Sequence, residues 1–471
     1  MNWIKKLNAL DVFIAITSLL LIALALIYAK QRIVFTDTAV YFANLAEEKD
    51  FTYTPRYVAL LAQILPLTAV YLGTSLKYAL LAYSLNLILI PIASIILCRC
   101  VFKNRTMAVA IILFYTIMNA MLFYYPVTEF QMGLCLIFVL HAYLIWNSER
   151  KQNLIGYVIS CLLLVVTIIF SHPQAILVFY GYLGWVLLYN NNLRARKILI
   201  PTTIPVLVLV FKKVFQTLFS FQTNYDDTKM NVLNNFKTDP AAYFTSPLAK
   251  AWVKMFTEEY FLVIGMVIAL LVFFIVKRRW ILLAFFGLML FSFWLLITVS
   301  FNDLPYNYYT EHQYQPMGFF IAFVFAYFLE QVASNNMIKV GILSLILFVS
   351  VSKIIDNSRW LTQRLTWYER CISLMQQQRI ERGVLPPIYT PFGNIYDYWA
   401  SGAETSVLSS LINPNKTVIL MIEWETNRYN EKAKLDTRMQ TQYFFKSDAP
   451  FLRVDSFATK KQLEDMQQVY Y

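Results

Sequence analysis

The chain has 471 residues, of which 58% are hydrophobic, 17% aromatic and only 14% charged, and its mean hydropathy is +0.52. No soluble domain needs this much apolar surface, and several windows of about 18 apolar residues without charge are typical of membrane-spanning helices. The formal net charge is +12. Because the basic residues lie between the apolar windows and form no long cluster, they indicate membrane topology and argue against nucleic-acid binding.

The N-terminus carries Lys5 and Lys6 before an apolar run, as signal peptides and first membrane helices both do. The run from Leu10 to Ala29 is long enough to cross a bilayer, and no small-residue cleavage site follows, so we predict a retained first helix. The apolar windows predict about eleven spans. These lie at residues 10–29, 78–98, 106–122, 132–146, 154–170, 174–189, 197–213, 260–276, 280–299, 317–333 and 338–354.

The short loops between these spans alternate in charge. Loops 123–131, 171–173 and 300–316 contain neither Lys nor Arg. The alternate loops carry Arg99, Lys103, Arg105, Arg150, Lys151, Arg194, Arg196, Lys197, Lys277, Arg278, Arg279 and Lys339. This positive-inside pattern predicts an N-in, C-out protein of the cell inner (cytoplasmic) membrane. Loops 30–77 and 214–259 and the C-terminal tail would then face outward.

Residues 57–77 are apolar but are interrupted by Pro66 and Gly73. A further span here would invert every later loop, against the loop charges. We therefore prefer an interfacial or re-entrant segment beside the first outer loop, with a span as the alternative.

After residue 354 the sequence becomes mixed and polar. Residues 355–382 predict an amphipathic helix, and KTVILMIEW at 416–424 predicts a buried strand. The fold class that we predict is an all-α polytopic membrane protein with a small α/β C-terminal extracytoplasmic domain. Its two parts are a transmembrane domain, residues 1–354, and a soluble domain, residues 355–471.

The polar, aromatic stretch that follows the first span places an acidic residue near the membrane surface. Asp37, Tyr41 and Leu45 lie at helical spacing and would share one face of a short helix. A carboxylate at the boundary of water and lipid suits proton transfer on a substrate that is part lipid and part polar. The alternative is that Asp37 only caps the helix N-terminus.

The other predicted outward loops each place acidic or imidazole groups beside aromatic residues. Glu129 lies in YYPVTEFQ, His172 in SHP, and Glu311, His312 and Tyr314 in YNYYTEHQYQP. Taken singly, each has a structural explanation as a turn or helix-end residue. Taken together, they predict an acidic, aromatic-lined cavity at the outer surface.

The remaining histidine and the five cysteines point to no further site. His141 lies within a span, where we expect a packing or hydrogen-bonding role. The cysteines form no disulfide framework, and the pair Cys98 and Cys100 has no partner pair, so we predict no metal site from them.

These features together resemble the C-type glycosyltransferase (GT-C) superfamily, integral-membrane enzymes that use polyprenyl-phosphate-linked sugars. The resemblance rests on a first span followed by the D-x-x-x-Y helix at Asp37, the basic segment CRCVFKNR, the outer loop of Glu129, and EHQYQP leading into a late span. It covers residues 1 to about 355 and is a pattern of topology and sparse residues.

The resemblance implies roles for individual residues. Asp37 would be the base that activates the acceptor, and Glu129 would assist it. Gln313 stands where the family usually has an arginine, which removes an expected phosphate contact, and Arg56, Lys77, Lys212 or Lys213 could replace it. The residues that we assign to substrate binding are Tyr41, Arg56, Lys77, His172, Lys212, Glu311, His312 and Tyr314.

The implied partners are a polyprenyl-phosphate-linked sugar donor, a lipid, glycan or protein acceptor, and membrane lipids, within cell-envelope polysaccharide biosynthesis. No metal ligand is assigned, although a divalent metal cofactor stays an alternative because some family members depend on one.

An O-antigen polymerase or ligase is the runner-up enzyme and would depend on arginines in large outer loops. A lipid-linked-sugar transporter or flippase would need charged spans or inverted repeats. A non-catalytic assembly protein is the last alternative.

Overall fold

The structure is a computed structural model, and it describes residues 8–51, 59–125, 129–148, 154–189, 203–204, 207, 243–301, 308–386, 389–391, 400–413, 417–422 and 452–453. Most of this part of the chain is helical. Its helices, in chain order, are α1 (Ala9–Ile27), α2 (Ala29–Ile33), α3 (Thr36–Glu48), α4 (Ala59–Tyr71), α5 (Leu76–Ile96), α6 (Arg105–Ile117), α7 (Glu129–Ser148), α8 (Leu154–Ile169), α9 (Pro173–Tyr189), α10 (Pro247–Lys254), α11 (Phe261–Val276), α12 (Trp280–Ser300), α13 (Tyr308–Gln313), α14 (Gln315–Val332), α15 (Asn336–Gln377) and α16 (Ser401–Ile412).

The described residues form an all-α membrane protein with a few short strands. Six helices are long and apolar enough to cross a membrane, or seven if α10 and α11, which meet at 90°, count as one broken span. Each predicted span overlaps a helix except 197–213, which is almost wholly outside the described residues. The count of eleven stays a prediction, because α6, α8 and α9 are apolar but have only 13 to 17 residues.

The segment at 57–77 forms α4, a helix of 13 residues that contains Pro66. This is shorter than the length that crosses a bilayer. It packs against α5 and α3, and the side chain of Asn86 in α5 donates a 2.7 Å hydrogen bond to the carbonyl of Leu61. The segment therefore lies beside α3, and its placement as an interfacial or re-entrant helix stays a prediction.

The last span and the amphipathic helix that we predict after it form one continuous helix. Helix α15 has 42 residues and so is about 63 Å long. No Gly or Pro occurs between Gly341 and Gly383 to end it. Its buried positions, which recur every three or four residues, include Leu343, Ile354 and Leu365. One face of α15 therefore packs first on the membrane bundle and then on the C-terminal segment.

The C-terminal residues that the structure describes include a three-stranded parallel sheet. Strand β1 (Arg382–Leu385) pairs with β2 (Ile419–Ile422) on one side and β3 (Leu452–Arg453) on the other. Helix α16 connects β1 to β2 and packs on β2. The strand predicted at 416–424 is thereby confirmed, whereas the boundary at residue 354 and the full α/β domain stay predictions.

Asp11 of α1 pairs with Arg99 and Arg105, at 2.5 and 2.9 Å, where α5 is followed by α6. Several of the segments that we predict to face outward contact one another, as described next. The alternation of charge along the loops and the assignment of one end to the outside both stay predictions.

Candidate functional site

Asp37 lies in the first turn of α3, directly after a strained residue. Thr36 has a φ of 41°, a left-handed conformation that β-branched residues rarely adopt. The residue at the N-cap position is Phe35, and it makes no side-chain capping bond. The Asp37 carboxylate instead accepts a hydrogen bond from the phenol of Tyr125. Asp37 is thus not the cap of the helix, and its carboxylate is directed toward a group from another segment.

The segment that carries Tyr125 is an irregular turn between α6 and α7. We predicted a span to residue 122, but α6 ends at Ile117 and a 3-10 turn follows at Leu122–Tyr124. The side chain of Asn119 donates to the carbonyl of Tyr115 at 2.8 Å and so satisfies part of the open helix end. The span prediction was wrong here because the turn is as apolar as the helix before it.

Glu311 holds this turn in place. Its carboxylate accepts the backbone N–H of Ala120 at 2.7 Å and that of Leu122 at 2.5 Å, and also a hydrogen bond from the phenol of Tyr260. Glu311 is fully buried. Burial raises the pKa of its carboxyl to about 7, although the three hydrogen bonds act in the opposite direction. The group can therefore gain or lose a proton near neutral pH.

Two histidines and two aromatic residues lie side by side next to this turn. The ring of His312 lies edge-on to those of Tyr125, Phe130 and His172, with centroids 6.4, 5.8 and 5.9 Å away. His172 also lies 4.6 Å from Phe130. The backbone N–H of Gln174 donates to Nδ1 of His172 at 3.2 Å, so this nitrogen acts as an acceptor. The predicted histidines of two separate loops thus meet.

Glu129 and Tyr41 are the other predicted site residues in the neighbourhood of Asp37. Glu129 is the first residue of α7 and is buried, with 4% of its surface exposed. Tyr83 of α5 lies within electrostatic range of Tyr41, Glu129 and Asp37. The two carboxylates that we predict to act together are thus both in the neighbourhood of Tyr83. Tyr41 shares α3 with Asp37 and Leu45, as the helical spacing predicted.

The other predicted site residues lie elsewhere or cannot be placed. Lys77 is exposed at the start of α5. Tyr314 is fully buried against Trp252, at a centroid distance of 6.4 Å. Arg56 and Lys212 are outside the described residues, as is Lys213.

Sequence reasoning did not select Arg32, which is fully buried in α2 just before Asp37. Its guanidinium lies 4.4 Å from the centre of the Phe123 ring, on the same turn as Tyr125. Among the described residues its three guanidinium nitrogens have no hydrogen-bond acceptor. Burial lowers the pKa of the guanidinium, while the neighbouring phenols of Tyr115 and Tyr124 raise it. The only earlier signal was a basic residue in an outward loop.

A second buried carboxylate, Glu404 of α16, was also not selected. It accepts the backbone N–H of Thr36 at 2.5 Å and the phenol of Tyr368 at 2.5 Å. Nη2 of Arg364 in α15 donates to its two oxygens at 2.8 and 2.7 Å. The side chains of Arg364 and Glu404 are both fully buried. The C-terminal segment therefore contacts the residue directly before Asp37.

Comparisons of the chain with protein-family models, curated proteins and solved structures give no match. The resemblance to the GT-C superfamily thus stays a prediction that rests on this sequence. Within the described ranges no three His, Cys, Asp or Glu side chains are arranged to hold a metal ion.

Proposed function

We propose that this protein is a GT-C-like glycosyltransferase. It moves a sugar from a polyprenyl-phosphate-linked donor to an acceptor at the outer face of the cytoplasmic membrane. In this proposal the protein spans the membrane about eleven times, with its N-terminus inside, its C-terminus outside and a small α/β domain at the C-terminal end.

The observation that carries the proposal is the pair formed by Asp37 and Tyr125 at one end of the bundle. The phenol orients the carboxylate, and Glu129, like Asp37, lies within electrostatic range of Tyr83. The Asp37 carboxylate accepts the proton of the acceptor hydroxyl while that oxygen bonds to the anomeric carbon of the sugar. The bond between the sugar and the phosphate breaks, and its electron pair leaves with the polyprenyl phosphate.

Two further observations support a ligand that carries both phosphate and sugar. Arg32 supplies positive charge at this end of the bundle, where Gln313 replaces the arginine expected from the resemblance. A cation placed near a departing phosphate stabilises the charge that develops there. Phe130, His172, His312 and Tyr125 form a group of contacting aromatic rings beside Asp37, and the resemblance implies aromatic residues that orient the sugar.

The test is Asp37→Asn in the purified protein, assayed for transfer from a polyprenyl-phosphate-linked sugar to an added acceptor. We expect kcat to fall by about 1,000-fold, because the amide cannot accept the proton. The matched control is Asp50→Asn, which makes the same chemical change at an exposed residue just beyond the same helix. It should retain wild-type turnover.

The outcomes separate the competing functions. Wild-type turnover in Asp37→Asn would remove Asp37 from catalysis. If wild-type protein in proteoliposomes moves the lipid-linked sugar between leaflets and transfers none, the flippase alternative is correct instead. Lengthening of a lipid-linked glycan by whole repeat units would favour the polymerase alternative.

A further inference from the structure

The backbone next to Asp37 is held in a conformation that it would not adopt alone. Thr36 is β-branched and has a φ of 41°, and such a residue stays in the left-handed region only where its surroundings fix it. Thr36 is also the first residue of α3, so its conformation sets the direction in which that helix begins. The direction of the Asp37 carboxylate follows from it.

The contact that fixes Thr36 comes from the C-terminal part of the chain. The Glu404 carboxylate accepts the Thr36 N–H at 2.5 Å, across 368 residues of sequence. A helix leaves its first N–H groups without intrahelical acceptors, and a carboxylate at this position satisfies one of them and favours the positive end of the helix dipole. Glu404 thereby does from a distance what a local capping residue does in most helices.

Glu404 is itself rigidly held. Arg364 donates to both of its oxygens, and the guanidinium also lies 5.0 Å from the centre of the Phe35 ring. Helix α16 is fixed to strand β2 because Oγ1 of Thr405 accepts the N–H of Leu420 at 2.9 Å. A displacement of α16 would therefore be passed to the Thr36 backbone rather than absorbed by a flexible side chain.

We propose that Glu404 is a positioning residue for Asp37. Acting through the Thr36 amide, it holds the start of α3 so that the Asp37 carboxylate meets the phenol of Tyr125. The C-terminal segment is in this way a working part of the site on the membrane domain. The consequence for turnover rests on the proposed glycosyltransferase function, whereas the consequence for the geometry of Asp37 does not.

The test uses Glu404→Asp in the full-length protein. Aspartate keeps the charge that faces Arg364 but withdraws the carboxylate from Thr36 by one methylene. We expect Asp37 to react about tenfold faster with a water-soluble carbodiimide and amine, measured by mass spectrometry of the 36–48 peptide, because its bond to Tyr125 opens more often. In the transfer assay kcat should fall about 100-fold, while KM for the donor stays within about twofold.

The control is Ser410→Ala, which removes a buried 2.9 Å hydrogen bond to Thr417 from the same helix, six residues beyond Glu404. It should leave the labelling rate and kcat unchanged. Equal labelling of Asp37 in wild-type and Glu404→Asp protein would overturn the proposal, and so would equal acceleration in the control. If the wild type transfers no sugar, the proposed function fails, but the labelling rates still decide whether Glu404 positions Asp37.

A measurement on the wild type decides the matter even if Glu404→Asp does not fold. Hydrogen exchange at the Thr36 amide should be slowed at least about 1,000-fold relative to an unprotected amide, because Glu404 accepts its N–H in a fully buried place. Exchange at the unprotected rate would show that the contact does not persist, and would overturn the proposal.

Discussion

Glu311 and Glu404 perform the same task at two places in the molecule but are compensated differently. Each is fully buried, and each accepts one hydrogen bond from a phenol and at least one from a backbone N–H. The backbone N–H groups belong to the segment of Tyr125 for Glu311 and to the segment of Asp37 for Glu404. Glu404 also has the guanidinium of Arg364. Within the described residues, Glu311 has no lysine or arginine nitrogen within 4.0 Å, and burial raises its pKa to about 7.

Because only Glu404 is paired with a cation, the contacts of Glu404 and Glu311 should respond to different conditions. The Glu404 contact depends on an ion pair and should fail when its partner is removed, because a lone charge in a buried place is costly. The Glu311 contact depends on neutral donors and should respond to pH, because its carboxyl titrates near neutrality. The segment of Tyr125 would then be held by the pH-sensitive contact of Glu311, and the segment of Asp37 by the ion-paired contact of Glu404.

The largest effect should come from Arg364→Met, which leaves Glu404 charged and buried without its cation. We expect the free energy of unfolding to fall by about 3–5 kcal/mol. Thermal unfolding in detergent would measure it. Arg359→Met is the matched control, because Arg359 lies on the same helix with 78% of its side chain exposed and should shift the free energy by less than about 0.5 kcal/mol. Equal melting of the two variants would contradict the ion-pair account.

Parts of this comparison could be predicted from sequence and parts could not. Hydrophobic windows placed the helices, and the alternation of basic loops grouped Asp37, His172 and His312 at one end, because both signals are local. The Arg364–Glu404 pair joins an amphipathic helix to a small-residue helix, and no local pattern selects its partner. The turn before Tyr125 was assigned to a span because its residues are as apolar as those of a helix.

The second prediction concerns the pH dependence that Glu311 brings to stability. Its pKa is raised from 4.5 to about 7 on folding, so the folded state binds the proton more tightly than the unfolded state. The stabilisation is complete below pH 4.5 and is lost as the pH rises through about 7. We expect the wild type to be about 1 kcal/mol less stable at pH 8 than at pH 6 from this group alone.

Glu311→Gln isolates this contribution, because the amide keeps the shape of the side chain but does not titrate. The free energy of unfolding of Glu311→Gln should change between pH 6 and pH 8 by about 1 kcal/mol less than that of the wild type. Other charged groups nearby, Glu259 and Lys353, line a cavity of about 20 Å³ beside Tyr260 and are the same in both proteins. The comparison with Gln at one residue cancels them. An unchanged pH dependence in Glu311→Gln would contradict the prediction.

Effects smaller than that of Arg364→Met should come from removing the two phenols, and their order distinguishes the two contacts. Tyr260→Phe takes one of three donors from Glu311, which has no cation to compensate, and should cost about 1–2 kcal/mol. It should also raise the pKa of Glu311 further, because the hydrogen bond from Tyr260 lowers it.

Tyr368→Phe takes a donor from Glu404 but leaves Arg364 bonded to both oxygens, so we expect a cost of about 1 kcal/mol or less. Thermal unfolding at pH 6 and pH 8 measures both variants. Only Tyr260→Phe should shift the midpoint of the pH dependence upward, and a larger loss in Tyr368→Phe would mean that the ion pair does not compensate Glu404.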